Sequence, residues 1–311
     1  MLAQNKMKLL HYDSKASDPY YHKVQEDYPD LDPPTLLRDH VEELYQICHD
    51  LVDEKFRSQI KSMFASCYSE MYFCAAFKKR LGLDVTHPLD EGPDYYLKDI
   101  DCWAEVTTLS NGEKGNLNSI PQQEYGKASD YPKNQIILRI TNSFTEKAKK
   151  ICEYIKKGLI GDSQRVIICI SGGWLASRSG FPYYGVGGFP AVVEALLPIG
   201  DMVLLINKEN MSVNEITFEY KAHVDKKVEG NGTQPIKTDY LINPEYSHIS
   251  AIIYSYADIT SSIDPKDLGR DFFIIHNPLA KNRLPLGSIK CGIEYDVQTD
   301  DSFLRITTIN H

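Results

Sequence analysis

Apolar residues recur at helical spacing twice in the first third of the chain. In DPPTLLRDHVEELYQICHDLV, Leu36, Leu37, Val41, Leu44, Tyr45 and Cys48 fall on one stripe behind Thr35, which is placed to cap a helix. From about 54 to 81, Ile60, Met63, Phe64, Cys67, Met71, Cys74 and Phe77 form a second, longer stripe, closed by Gly82 where a C-terminal cap belongs. Residues 1–34 are polar, with Asp-Pro and Pro-Pro punctuation, and predict an extended arm.

The period then shortens. Asp94–Leu97 and Cys102–Leu109 read as two strands joined by a short polar turn, and 110–134, rich in Asn, Gly, Gln and Pro, reads as a loop. QIILRI (135–140) and RVIICI (165–170) are continuous apolar runs of the kind found in buried strands. Between them Ser143 and Glu146 form a capping box for a helix over 144–157 that stops at Gly158. The Gly- and aromatic-rich stretch SGGWLASRSGFPYYGVGGFP is a loop, followed by a short helix at 190–197 and strands at DMVLLI, EITFEY, AIIYSY, DFFIIH, CGIEYDV and FLRITTI. Helices alternating with strands predict an α/β fold, a mixed β-sheet flanked by helices with a C-terminal β-rich extension. The expected divisions are an N-terminal arm and helix (1–53), an α/β core (54–171), and an aromatic, Gly-rich loop with the β-rich extension (172–311) packed on that core as one domain; no linker separates them.

Composition narrows the function classes. A formal net charge of −9 over 311 residues argues against indiscriminate attraction to nucleic acid or acidic lipid. The basic segment 127–165 (Lys127, Lys133, Arg139, Lys147, Lys149, Lys150, Lys156, Lys157, Arg165) leaves room for a local groove that tracks a nucleic-acid backbone, beside the plainer reading of a solvated helix face. Seven unpatterned cysteines with no CxxC pair fit reduced thiols, and no apolar run is long enough for a signal peptide or a membrane span. A soluble, cytoplasmic protein is expected.

The stretch EGPDYYLKDIDCWAEVTTL carries the chemistry. With the turn centred on Asp99 and Ile100, paired positions sum to 199, and Asp94 falls opposite Glu105 on the same sheet face. Directly paired side chains lie about 4.5–5.5 Å apart at Cβ, so two carboxylates there repel unless something positive sits between them. Mg²⁺ is the natural candidate. Glu70, on or beside the apolar stripe of the long helix, is a third acid able to reach the same cation if that helix packs against the hairpin. A slip of one residue in register would send the two strand acids to opposite faces.

A helical Glu, a Pro-Asp opening one strand and an acid in the next, followed by strand, helix and strand, resembles the PD-(D/E)XK nuclease superfamily, with its restriction-endonuclease-like αβββαβ core. The blocks Ser69–Tyr72, Gly92–Asp94 and Trp103–Glu105 also resemble those of uncharacterised bacterial proteins. The resemblance covers about 54–171 and implies a metal-dependent nuclease or related phosphodiesterase. Asp94, Glu105 and Glu70 would hold Mg²⁺ or Mn²⁺, with the carbonyl of Val106 as a further ligand. It implies a Lys two residues after the acid; this chain has Thr107, which can orient a water but brings no charge. Lys147 is then the first candidate for a relocated cation and Arg139 the second, ahead of Lys114 and Lys127. The loop with Trp174, Phe181, Tyr183 and Tyr184 could stack on bases. Two rival readings stay open: a catalytically inactive binding or interaction module that kept the fold and lost the Lys, and an unrelated small-molecule hydrolase using the same acids.

Overall fold

A computed structural model describes residues 8–25, 36–52, 55–88, 91–122, 127, 130–175, 188–230, 232–259, 267–300 and 303–311. In chain order the helices are α1 (Pro19–Lys23), α2 (Leu36–Cys48), α3 (Phe56–Gln59), α4 (Phe64–Ala75), α5 (Lys133–Lys156) and α6 (Ala191–Leu196). The strands are β1 (Val85–Thr86), β2 (Tyr95–Leu97), β3 (Cys102–Thr108), β4 (Arg165–Ser171), β5 (Ile199–Ile206), β6 (Val213–Tyr220), β7 (His223–Val228), β8 (Gly232–Lys237), β9 (Ala251–Ser255), β10 (Phe273–His276), β11 (Ile293–Thr299) and β12 (Leu304–Asn310).

Among the described residues, eight strands form one mixed sheet in the order β1-β2-β3-β4-β9-β10-β11-β12. The β3–β4, β4–β9 and β10–β11 pairs are parallel and the others antiparallel. The sheet crosses residue 171 without a break, because β4 pairs along its length with β9. The hairpins β5–β6 and β7–β8 stand outside it as separate two-stranded sheets.

Strand alternation sends side chains into two cores. Cys102, Ala104, Val106, Ile167, Cys169, Ala251 and Ile253 meet α2, α4 and the N-terminal residues on one face. Val166, Ile168, Ile170, Ile252, Phe273 and Ile275 meet α5 and α6 on the other. The result is helices, sheet, helices, as an α/β chain with amphipathic strands requires. Among the described residues no helix is long and apolar enough to cross a membrane.

Three expectations need correction. The run 135–140 is not a strand: it is the first half of α5, a single helix of 24 residues. Ile136, Ile140, Phe144, Ala148 and Ile151 are all buried, so the apolar stripe passes straight through the assumed boundary at helical spacing. Ser143 is accordingly no cap. It lies buried in mid-helix, while Glu146 accepts from the Asn142 side chain.

The helix expected over 54–81 is broken. Met63 leaves helical backbone between α3 and α4 and is 53 % exposed, and α4 runs on into a π-helical turn, Ala76–Arg80. The cause is distant in sequence. The Asp18 carboxylate accepts the N–H of Phe64 at 2.9 Å and of Tyr20 at 2.8 Å, while the N–H groups of Ser17 and Asp18 both bond the Lys61 carbonyl. One carboxylate thus caps two helices and pins the N-terminal segment into the break. The expected extended arm over 1–34 is corrected within its described residues: it carries α1, and Leu9, Leu10, Tyr21 and Val24 are buried in the core. Thr35, the expected cap of α2, lies outside the described residues.

Three strands were not anticipated. β1 has two residues, and β7 and β8 are polar and mostly exposed, so none carries an apolar alternation to read. With β1 present and 135–140 helical, the order from α4 onward is α4-β1-β2-β3-α5-β4. The segment HNPLAKNRLPLG is a brace. Asn277 donates to the carbonyls of Tyr246 and Ile249, and Asn282 to those of Asp162 and Gln164.

Candidate functional site

The β2–β3 hairpin has the expected register: Tyr95 pairs with Ala104, Tyr96 with Trp103 and Leu97 with Cys102. Asp101, in the left-handed region at φ 44°, closes the 3₁₀ turn between the strands. Asp94 stands one step beyond the last ladder pair. Its Oδ2 accepts the Val106 N–H at 2.6 Å, which fixes the carboxylate against β3 beside Glu105. Val106 enters the site through this N–H.

Glu105 is completely buried on the α5 side of the sheet. Its Oε1 accepts Lys147 Nζ at 2.6 Å and Lys150 Nζ at 2.9 Å. Its Oε2 is also buried and has no hydrogen-bond partner. The positive charge demanded by two neighbouring acids is therefore present as two ammonium groups from one face of α5, three residues apart. Thr107, two residues along β3 on the same face, exchanges a hydrogen bond with Ser143 Oγ at 2.9 Å. The side chains of Ser143, Lys147 and Lys150 come one helical turn apart along α5, directly over Thr107 and Glu105.

The electrostatics follow from this packing. Burial first, and the Glu105 carboxylate second, push the Asp94 carboxyl up to about 6, against the pull of Lys147, the Val106 N–H and Lys150. Burial opposes the charge on Lys150, but its hydrogen bond to Glu105 and the attraction of that carboxylate outweigh it and hold the ammonium above its ordinary range.

The other sequence-derived residues fall elsewhere. Glu70 belongs to α4, in the layer across the sheet, and its carbonyl accepts the Tyr95 hydroxyl at 3.3 Å. Among the described residues no group of three or more His, Cys, Asp and Glu side chains is arranged to hold a metal ion. Arg139 is on α5, not on a strand, and its Nη2 donates to the Asn118 carbonyl at 3.0 Å. Lys114 and Lys127 are exposed.

The basic segment is partly neutralised from within. Lys133 pairs with Glu194, Lys157 with Glu91, and Lys147 and Lys150 with Glu105, while Arg165 bonds the carbonyls of Arg283 and Ile100. Lys149 and Lys156 remain on the exposed side of α5.

Trp174 does not present a free face for stacking. It is 8 % exposed, with Tyr20, Phe64 and Tyr68 packed edge-on to it at centroid distances of 5.0, 6.0 and 5.3 Å. A Trp surrounded by aromatic rings gains more from that burial than from solvent, so it joins the core. Phe181, Tyr183 and Tyr184 lie outside the described residues.

Sequence reasoning named Lys147 but passed over Lys150 and Ser143 as site residues. The signal was present: the three sit at i, i+4 and i+7, a single helix face, once 133–156 is read as one helix. Compared with protein-family models, curated proteins and solved structures, the chain matches none.

Proposed function

We propose that the protein is a metal-dependent nuclease or related phosphodiesterase on a restriction-endonuclease-like core. The observation that carries the reading is the buried, unpartnered Oε2 of Glu105 beside Asp94, a carboxyl that burial and Glu105 push up to about 6. Two neighbouring acids, one of them with a buried oxygen that no donor satisfies, suit a hard divalent cation. The order α4-β1-β2-β3-α5-β4, with the parallel β3–β4 pair bridged by α5, supports the core assignment.

The residues fit Mg²⁺ or Mn²⁺, and Asp94 and Glu105 would hold it. When bound, such a metal acidifies a water and neutralises charge on a phosphate. The chain's own groups supply the rest. Lys147 and Lys150 bring the positive charge that Thr107 does not, and an ammonium released from Glu105 stabilises negative charge developing on a phosphate oxygen. The Thr107 hydroxyl, oriented by Ser143, is placed to hold a water. Lys149 and Lys156 offer exposed charge to a nucleic-acid backbone.

One observation favours the rival, a catalytically silent module. Both ammonium groups converge on Glu105 Oε1, so the site is already neutralised internally. A single experiment separates the two. Mn²⁺ is titrated against wild type and Asp94→Ala while thermal unfolding is followed, and the same proteins are incubated with mixed DNA and RNA substrates. The nuclease reading expects a metal-dependent rise in Tm and cleavage, both lost in the variant. Retained nucleic-acid binding with neither effect would establish the module.

A further inference from the structure

A second polar cleft lies on a different face of α5. It has a volume of about 350 Å³, and its lining includes Asn118, Arg139, Asn142, Lys226 and Tyr240. The walls are α5, the loop 111–120, the β7–β8 hairpin and the turn at Tyr240. None of Asp94, Glu105, Thr107, Lys147 or Lys150 contributes to it.

We propose that this cleft binds a small organic phosphate, a ligand of roughly nucleotide size. The proposal does not rest on the nuclease reading. Its first support is charge. Among the described residues the lining holds two cations, three Asn, two Thr and a Tyr, and no carboxylate, in a chain of net charge −9. Asp225 and Asp239, next in sequence to lining residues, are not in the wall, although Asp239 is near enough to act on the Tyr240 hydroxyl, and Glu146 accepts from Asn142 at 3.0 Å.

The second support is an unsatisfied donor. Arg139 Nε is buried and has no hydrogen-bond partner. Among the described residues neither Arg139 nor Lys226 forms an ion pair, whereas Lys133, Lys147, Lys150 and Lys157 of the same helix region all do. The Arg139 charge is therefore balanced by no carboxylate among the described residues, which leaves its guanidinium available to an anion in the cleft.

The third support is a backbone cradle. Gly112, at φ +85°, lets the guanidinium lie against the loop: a Cβ there would fall 2.5 Å from Arg139 Nη2. Asn118 ties the loop to the hairpin by a two-way bond, Nδ2 to the Lys227 carbonyl at 2.8 Å and Oδ1 from the Lys227 N–H at 2.9 Å. Arg139 and Lys226 thereby line one cleft from two different elements, α5 and β7.

The chemistry fits a phosphate ester better than a bare carboxylate. Arg offers a fork to phosphate oxygens and Lys a second charge, while the amides and hydroxyls suit the hydroxyls of a sugar-like body. About 350 Å³ is at the small end of ligand pockets and larger than a lone anion needs.

Isothermal titration calorimetry on the full chain tests this with adenosine monophosphate, adenosine, orthophosphate and citrate at constant ionic strength. The expected result is saturable binding of the monophosphate, with adenosine weaker by about tenfold or more, as loss of a charge-assisted contact implies. Lys226→Gln should raise the monophosphate Kd by about tenfold. It lies on exposed β7, so the fold survives the change. Arg139→Gln should do the same or more, and Glu105→Gln should leave the Kd unchanged, which separates this cleft from the acid pair. No saturable binding of the monophosphate or orthophosphate at millimolar concentration, equal binding of citrate, or a Kd indifferent to Lys226→Gln would overturn the proposal.

Discussion

Lys147 sets its ammonium 2.6 Å from Glu105 Oε1, across the gap between the long helix α5 and the third strand of the sheet. The contact joins residues 42 positions apart, and Lys150 repeats it at 2.9 Å. Glu105 is fully buried, whereas the two lysine side chains are 22 % and 44 % exposed. The anion is therefore the group with most to lose.

Removing one lysine should cost little and removing both a great deal. Lys147→Met leaves Lys150 on the same oxygen, and a loss of about 1–2 kcal/mol is expected. Lys147→Met with Lys150→Met strands a buried carboxylate and should cost about 3–5 kcal/mol, more than the sum of the single changes. Urea unfolding of the four proteins at one pH measures the cycle; additive losses would show that each lysine acts alone.

Asp94 makes stability depend on pH in an unusual direction. Its carboxyl is raised from 3.8 to about 6, so between these values the folded state binds more protons than the unfolded one. Stability from this group is full below about 4 and is lost as pH rises through about 6. Asp94→Asn keeps an acceptor for the Val106 N–H without the charge, and should stabilise the protein by about 1–3 kcal/mol at pH 8 but not at pH 4. Thermal unfolding at both pH values checks the sign. A stabilised but inactive variant would mark Asp94 as functional, since active sites trade stability for chemistry.

Thr107→Lys restores the residue the resemblance implies, but here it adds a third ammonium beside two that already share Glu105. The expected outcome is a loss of about 1–2 kcal/mol, from like-charge repulsion and from breaking the Thr107–Ser143 bond. Combining it with Lys147→Met removes the excess charge and should recover most of the loss. Denaturant midpoints of the single and double variants, with cleavage assays alongside, test whether the two positions are interchangeable.

Asp18→Ala should cost about 1–2 kcal/mol, the upper range for a cap, because one carboxylate serves Phe64 and Tyr20 together. Asp18→Asn should lose only a fraction of that. Hydrogen exchange at the first turn of α4 reports the local effect, and unchanged protection there would rule out the shared cap.

Much of the architecture was legible because it depends on neighbours in sequence. The β2–β3 register follows from the length of its turn, and the apolar runs now seen as β4, β5, β6, β9, β10, β11 and β12 each announce a strand. The stripe of α2 was equally plain. Local pattern failed where two periods were compatible with one run. QIILRI satisfies a buried strand over six residues and a helix over twenty-four; the helical stripe shows only in the longer window, and packing against Val166, Ile168 and Ile170 uses it.

What the sequence determined by itself was the hairpin and, with its turn centred on Asp99 and Ile100, the pairing that places Asp94 opposite Glu105, because a two-residue period then fixes which side chains share a face. What only the tertiary structure decided was the company those acids keep. It laid Lys147 and Lys150 over Glu105, set Glu70 in the layer across the sheet, and broke the long helix at Met63 by docking Asp18 into the gap. Charge neutralisation and helix capping act over a few ångströms whatever the separation along the chain, so they appear only once distant segments have been brought together.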